Sequence, residues 1–146
     1  MRRGGLFPAV LAVVAVSGAL TLLWAQEKRD EPDALPPYVV ETVPKSRAID
    51  VEAKLGQIRV TYDRPMMDKT WSWIMHPDLG EYPGSRALGE PWWEDGGKTC
   101  VLPVALKPNT VYAIGCNSFR HTGFRDRSGR IAVPFVLVFK TKAAAP

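Results

Sequence analysis

The pattern of apolar and polar positions divides the chain at residue 25. Behind Arg2 and Arg3, apolar side chains run almost unbroken from Leu6 to Ala25, and Gln26-Glu27-Lys28-Arg29-Asp30 then turns abruptly polar. Residues 26–35 are charged, carry proline and show no apolar periodicity, which is the pattern of a linker. Beyond Pro36-Pro37 the spacing becomes period two. Ile58, Val60 and Tyr62 share one face and Arg59 and Thr61 the other, as in a strand with one side in a core. Thr99 to Leu106 places Cys100, Leu102, Val104 and Leu106 together, and Val111 to Asn117 does the same for Tyr112, Ile114 and Cys116. Tyr38–Val43, Trp71–Ile74 and Val133–Thr141 are further β-type runs, and Pro91-Trp92-Trp93 offers a strand inside the irregular stretch 75–98. Outside the first segment no helical stripe is present.

Short strands separated by turn signals predict an all-β, two-sheet sandwich of the immunoglobulin-like class. Thirteen prolines and twelve glycines in 146 residues supply the turns such a fold needs, Asp95-Gly96-Gly97-Lys98 being the tightest. The length suits one domain. The expected layout is a signal peptide or membrane anchor over 1–25, a linker over 26–36, the sandwich over 37–142 and a short tail over 143–146.

The first segment has two readings. Ala25 offers the small side chain that a signal peptidase accepts, although Leu23 is larger than the residue usual two positions earlier. A run of about 20 apolar residues also spans a ~30 Å hydrocarbon layer as a helix. Cleaved or not, it directs the chain out of the cytoplasm, so the protein is expected to be periplasmic, secreted or membrane-tethered. On the sequence alone, membrane contact is expected only through residues 6–25, and only if they are retained. No cysteine stands near the boundary, which excludes a lipoprotein anchor.

Charge changes the picture little. The chain has 19 basic and 15 acidic residues; removing Arg2 and Arg3 leaves 17 basic residues, too small an excess to argue for nucleic acid. The densest basic group is Arg120, His121, Arg125, Arg127 and Arg130, in a loop that reads as a solvated surface or an anion-binding patch.

The most specific motif is Leu106-x-Pro108-x-Thr110-x-Tyr112. In sandwich folds this spacing builds a tyrosine corner, where the chain leaves one sheet for the other and the phenol hydroxyl bonds back to the upstream backbone. Such a crossover strands backbone polar groups, and the hydroxyl satisfies one while the ring fills the core. A plain hairpin with a proline turn is the alternative.

With that motif the chain resembles the SbsA-type bacterial Ig-like module of surface-layer and other exported proteins. The resemblance runs from about Pro37 to Lys142. It rests on Tyr-Val-Val-Glu-Thr-Val-Pro (38–44), Ile49-Asp50-Val51, Ile-Arg-Val-Thr-Tyr-Asp-Arg-Pro-Met (58–66), the corner, the Asp126-x-x-Gly129 turn and the closing Phe139-Lys140-Thr141. Asn109 departs from the glycine common in the family, and asparagine tolerates the left-handed conformation. The resemblance implies a fold and an exported setting, with no single activity.

Candidate chemistry is sparse. Trp71, Trp73, Trp92 and Trp93 cluster around Tyr82, and aromatic faces stack on sugar rings. Adjacent Trp92 and Trp93 cannot both face inward, so Trp92, Trp93 and Tyr82 are the candidate binding residues. The two histidines, His76 and His121, lie in no nucleophile motif, and no zinc-type cysteine pair or hydrolase signature is present, so neither catalysis nor a cofactor is expected. Asp95 and Asp126 read as turn residues rather than metal ligands. Cys100 and Cys116 both fall on inward faces in an oxidising setting, and a disulfide between them is the expectation, with two separately buried thiols as the alternative. The expected role is a non-enzymatic contact or accessory module of the cell envelope, whose partner is an envelope protein or a polysaccharide. The alternative is a carbohydrate-binding module using Trp92 and Trp93.

Overall fold

A computed structural model of the chain describes residues 35–144. The expected signal or anchor over 1–25 and most of the linker lie outside the described residues. The strands in chain order are β1 (Val39–Val43), β2 (Gln57–Tyr62), β3 (Trp73–Met75), β4 (Trp92–Glu94), β5 (Thr99–Pro103), β6 (Val111–Cys116) and β7 (Phe135–Lys140). They form two antiparallel sheets, a four-stranded one in the order β1-β2-β5-β4 and a three-stranded one in the order β3-β6-β7.

The core follows the period-two spacing. Ile58, Val60 and Tyr62 of β2 and Cys100 and Leu102 of β5 meet Tyr112, Ile114 and Cys116 of β6 and Leu137 and Phe139 of β7. Register keeps these sets together: Val60 stands opposite Cys100, and Tyr112 opposite Phe139. β5 ends at Pro103, short of the expected Leu106, because proline brings no N–H to the ladder. Val104 instead donates to the Gly56 carbonyl at 3.0 Å.

Between β5 and β6 the chain crosses from the four-stranded to the three-stranded sheet. There the Lys107 N–H donates to the Tyr112 hydroxyl at 2.7 Å, and Asn109 holds φ 50°. Thr141 locks the other side of the turn, its hydroxyl donating to the Lys107 carbonyl at 2.6 Å and accepting from Thr110 N–H at 2.9 Å. Leu106 packs against the core and Pro108 is exposed.

The disulfide expected between Cys100 and Cys116 is not formed; both are free, buried thiols. Each points inward as its alternation requires, but from a different sheet. A bond between them needs the two sheets, ordinarily about 10 Å apart, to draw together locally until the Cα atoms come within ~7 Å. The buried Tyr62 phenol lies beside both sulfurs.

One end of the sandwich is plugged by a residue outside any strand. Phe124 is wholly buried in the connection between β6 and β7. Its ring meets Trp73 edge-on at 5.0 Å and contacts Tyr62 at 5.5 Å and Trp93 at 6.1 Å. Asn117 fixes this connection: its amide donates to the carbonyls of Phe124 and Ala132 and accepts from Phe124 N–H at 2.9 Å. Gly123 allows the close approach, since a Cβ there would stand 2.4 Å from the Trp71 carbonyl oxygen.

Candidate functional site

The aromatic residues singled out in the sequence fall on two sides of one ridge. β4 alternates, so Trp92 turns out and Trp93 turns in. Trp92 is 40% exposed. Trp93 packs against the core, its ring 6.1 Å from Tyr62, with its indole N–H buried and unpartnered. The part of its ring left uncovered faces the hollow that it lines beside Trp92.

Trp92 belongs to a network on the outer face of the four-stranded sheet. Its indole N–H donates to Glu94 at 2.9 Å, and Arg59 pairs with the same carboxylate at 2.6 Å. These two contacts, the indole first, hold the Glu94 carboxyl below its ordinary pKa. Trp92, Val101 and Arg59 lie in one row across β4, β5 and β2. Val101 and Thr99 point outward yet are buried, because this row of side chains stands over them.

Tyr82 lies elsewhere. Residues 81–84 carry the chain from one sheet to the other, Glu81 bridging to Tyr112 and Gly84 to Val104. Tyr82 is half-buried there and lines a groove of about 710 Å³ with Trp71, Trp73, Met75 and Leu102. Ser85, Arg86 and Glu90 add polar groups to the groove. Burial, then the nearby Cys116, raises the Tyr82 pKa. A smaller hollow of about 440 Å³ on the far side of Pro91 is lined by Trp92 and Trp93 together with Asp68, Lys69 and Glu90. Trp71 lines both hollows. The structure thus joins Tyr82 to Trp71 and Trp73, and leaves Trp92 across the ridge.

The remaining candidates are dispersed. His76 packs over Gly115 and His121 sits in the loop after β6. Burial pushes the Cys116 thiol up to about 12 and raises Cys100 as well, with Cys116 adding to that rise. Such thiols are poor nucleophiles. Among the described residues no group of three or more His, Cys, Asp or Glu stands close enough to hold a metal. Asp126 accepts from Ser128 N–H, Arg130 N–H and the Arg130 guanidinium at 2.8–3.0 Å, and so closes its own turn. The basic cluster is mostly consumed internally: Arg125 donates to Thr122, Arg127 to the Gly96 carbonyl, and Arg130 pairs with Asp126. Arg120 and His121 remain at the loop apex.

No family model and no curated protein sequence matches the chain. Two solved structures are similar to it: the crystal structure of the S-layer protein rSbsC(31-844) and that of surface layer protein SbsC, domains 1-6. Each has a TM-score of 0.48 and covers 88% of this chain, at 18% and 19% identity respectively. The chain spans only 17% of the length of either.

Proposed function

We propose that the chain is an exported, non-catalytic Ig-like module of the cell envelope that works by making contacts. The observation that carries this reading is the strand order β1-β2-β5-β4 against β3-β6-β7. That order matches the ABED and CFG arrangement of a seven-stranded immunoglobulin sandwich, and the Tyr112 hydroxyl bond, resembling that fold's tyrosine corner, supports the same reading. The SbsA-type resemblance in the sequence supports the same reading, and the basic, apolar opening over residues 2–25 supports export. The test is a C-terminal fusion to a reporter active only outside the cytoplasm. Activity is expected, and a silent fusion made in full overturns export.

The groove beside Tyr82 favours a second reading, carbohydrate binding. Aromatic faces beside Ser85, Arg86 and Glu90 offer both stacking and hydrogen bonding to a sugar. Retention on cell-wall polysaccharide is expected to fall in Trp71→Ala, which removes a wall of both hollows, and in Trp92→Ala. Absence of retention on every polysaccharide tried sinks this reading.

A further inference from the structure

We propose that the end of the sandwich bearing Phe119 is a docking surface for an anionic phospholipid bilayer, with the Phe119 ring entering the headgroup layer. The inference rests on the envelope reading above and names a partner for it.

Phe119 is 103% exposed, a full aromatic ring held in water. It is not held there by a slack loop. Asn117 clamps the loop base as described. The Ser118 hydroxyl accepts from the Arg120 and His121 N–H groups at 3.3 and 3.2 Å, while Ser118 N–H donates to the His121 carbonyl at 2.8 Å. The backbone is satisfied around an apex that presents phenylalanine outward, so little further ordering is needed on binding.

Charge fits an anionic surface. Arg120 is exposed at the apex and Lys69 and Lys98 are exposed in neighbouring loops. Of the acidic groups at this end, Asp63 pairs with Arg64, Asp126 with Arg130, and Glu94 and, at 3.5 Å, Asp95 share Arg59, while Asp68 is exposed beside Lys69. An apolar ring gains by entering the headgroup boundary, and each cation beside it adds attraction to anionic lipid. A protein interface of standard size buries about 800 Å² per partner around an apolar centre.

The polarity of the strands supplies an independent argument. β1 begins at this end, and the Val133 N–H of the same β6–β7 connection donates to the Pro37 carbonyl at 2.8 Å. The chain therefore comes into the domain beside the Phe119 loop. Residues 26–35, fully extended, reach at most about 35 Å. A bilayer holding the apolar run 6–25 would lie within reach of this end.

The test uses the full chain with His121→Cys carrying an environment-sensitive fluorophore; the buried native thiols leave the unsubstituted chain unlabelled. On phosphatidylglycerol-rich vesicles the emission is expected to shift blue and to be quenched by shallow spin-labelled lipid. Phosphatidylcholine vesicles are expected to give a much smaller response. Phe119→Ala in the labelled chain is expected to weaken the response roughly tenfold, and Arg120→Glu or added salt to reduce it. A label at Lys54→Cys, at the opposite end, is expected to stay aqueous. A probe at position 121 that stays aqueous on anionic vesicles overturns the proposal, as does a response unchanged by Phe119→Ala. A blue shift that grows with protein concentration without lipid assigns the ring to a second copy and also overturns it. Because the vesicle assay is independent of the reporter fusion, failure of one is separable from failure of the other.

Discussion

Tyr112 and Asn117 each put a side-chain polar atom where a turn leaves backbone groups without partners. Removing the Tyr112 hydroxyl strands the Lys107 N–H, so Tyr112→Phe is expected to cost about 1 kcal/mol or somewhat more, read as a lower denaturation midpoint. Asn117 carries more. Asn117→Ala leaves the bonded carbonyls of Phe124 and Ala132 and the Phe124 N–H short of a partner, and forces alanine into φ 64°. About 3 kcal/mol is expected by the same measurement. The thiols make a prediction of opposite character. Native protein alkylated without reduction is expected to take up no label, and unfolded protein to label at both Cys100 and Cys116. Their raised pKa values also carry a sign. The folded Cys116 keeps its proton up to about 12, whereas an unfolded thiol releases it above 9.0. Its contribution to stability is therefore complete below pH 9 and declines as pH rises toward 12. Cys116→Ala is expected to flatten that decline in denaturant titrations run across this range.

At the scale of elements, Gly115 shows how closely a short strand and its turn are fitted. A Cβ at Gly115 would stand 2.5 Å from His76 Nε2, so Gly115→Ala is expected to cost about 1–3 kcal/mol by overpacking. His76→Ala in the same chain is expected to recover part of that loss, a coupling that a double-mutant cycle measures. Elements of this kind divide what the sequence made legible from what it did not. β2 and β6 were readable because alternation is a property of one strand: Ile58, Val60 and Tyr62, and Tyr112, Ile114 and Cys116, point inward as spaced. The corner was readable as a motif because its donor and acceptor lie within a few residues. Phe124 was not, since the connection holding it has no period, and its burial depends on Trp73, Tyr62 and Trp93 arriving from three other places. The same is true of Val101 and Thr99, which alternate outward and are buried by Trp92, Glu94 and Arg59 from neighbouring strands. The aromatic candidates needed the third dimension for a further reason. Which face of β4 turns outward follows from its pairing with β5, and Tyr82 is separated from Trp92 by a turn that only the sheet-to-sheet crossing creates.

For the whole molecule the two ends of the sandwich differ in chemistry. One gathers the incoming chain, the Phe119 loop and exposed cations; the other carries the Tyr112 turn and the outgoing chain after β7. That polarity has a mechanical consequence. Residues 47–51 run parallel to the free edge of β7, through bonds from Arg47 N–H to the Val138 carbonyl, Lys140 N–H to the Ala48 carbonyl, Val51 N–H to the Lys140 carbonyl and Lys142 N–H to the Val51 carbonyl. A chain pulled between Pro36 and Lys142 is loaded along its strands, so these bonds bear tension in shear and must fail together instead of opening one by one. Forced unfolding reads the height of that barrier rather than the equilibrium stability. Stretching between residues 36 and 142 is therefore expected to give a single high-force rupture, and Val51→Pro, which deletes one of the shear-loaded donors, to lower the rupture force. A train of small steps in the unsubstituted chain would show that the clamp is not the element that resists.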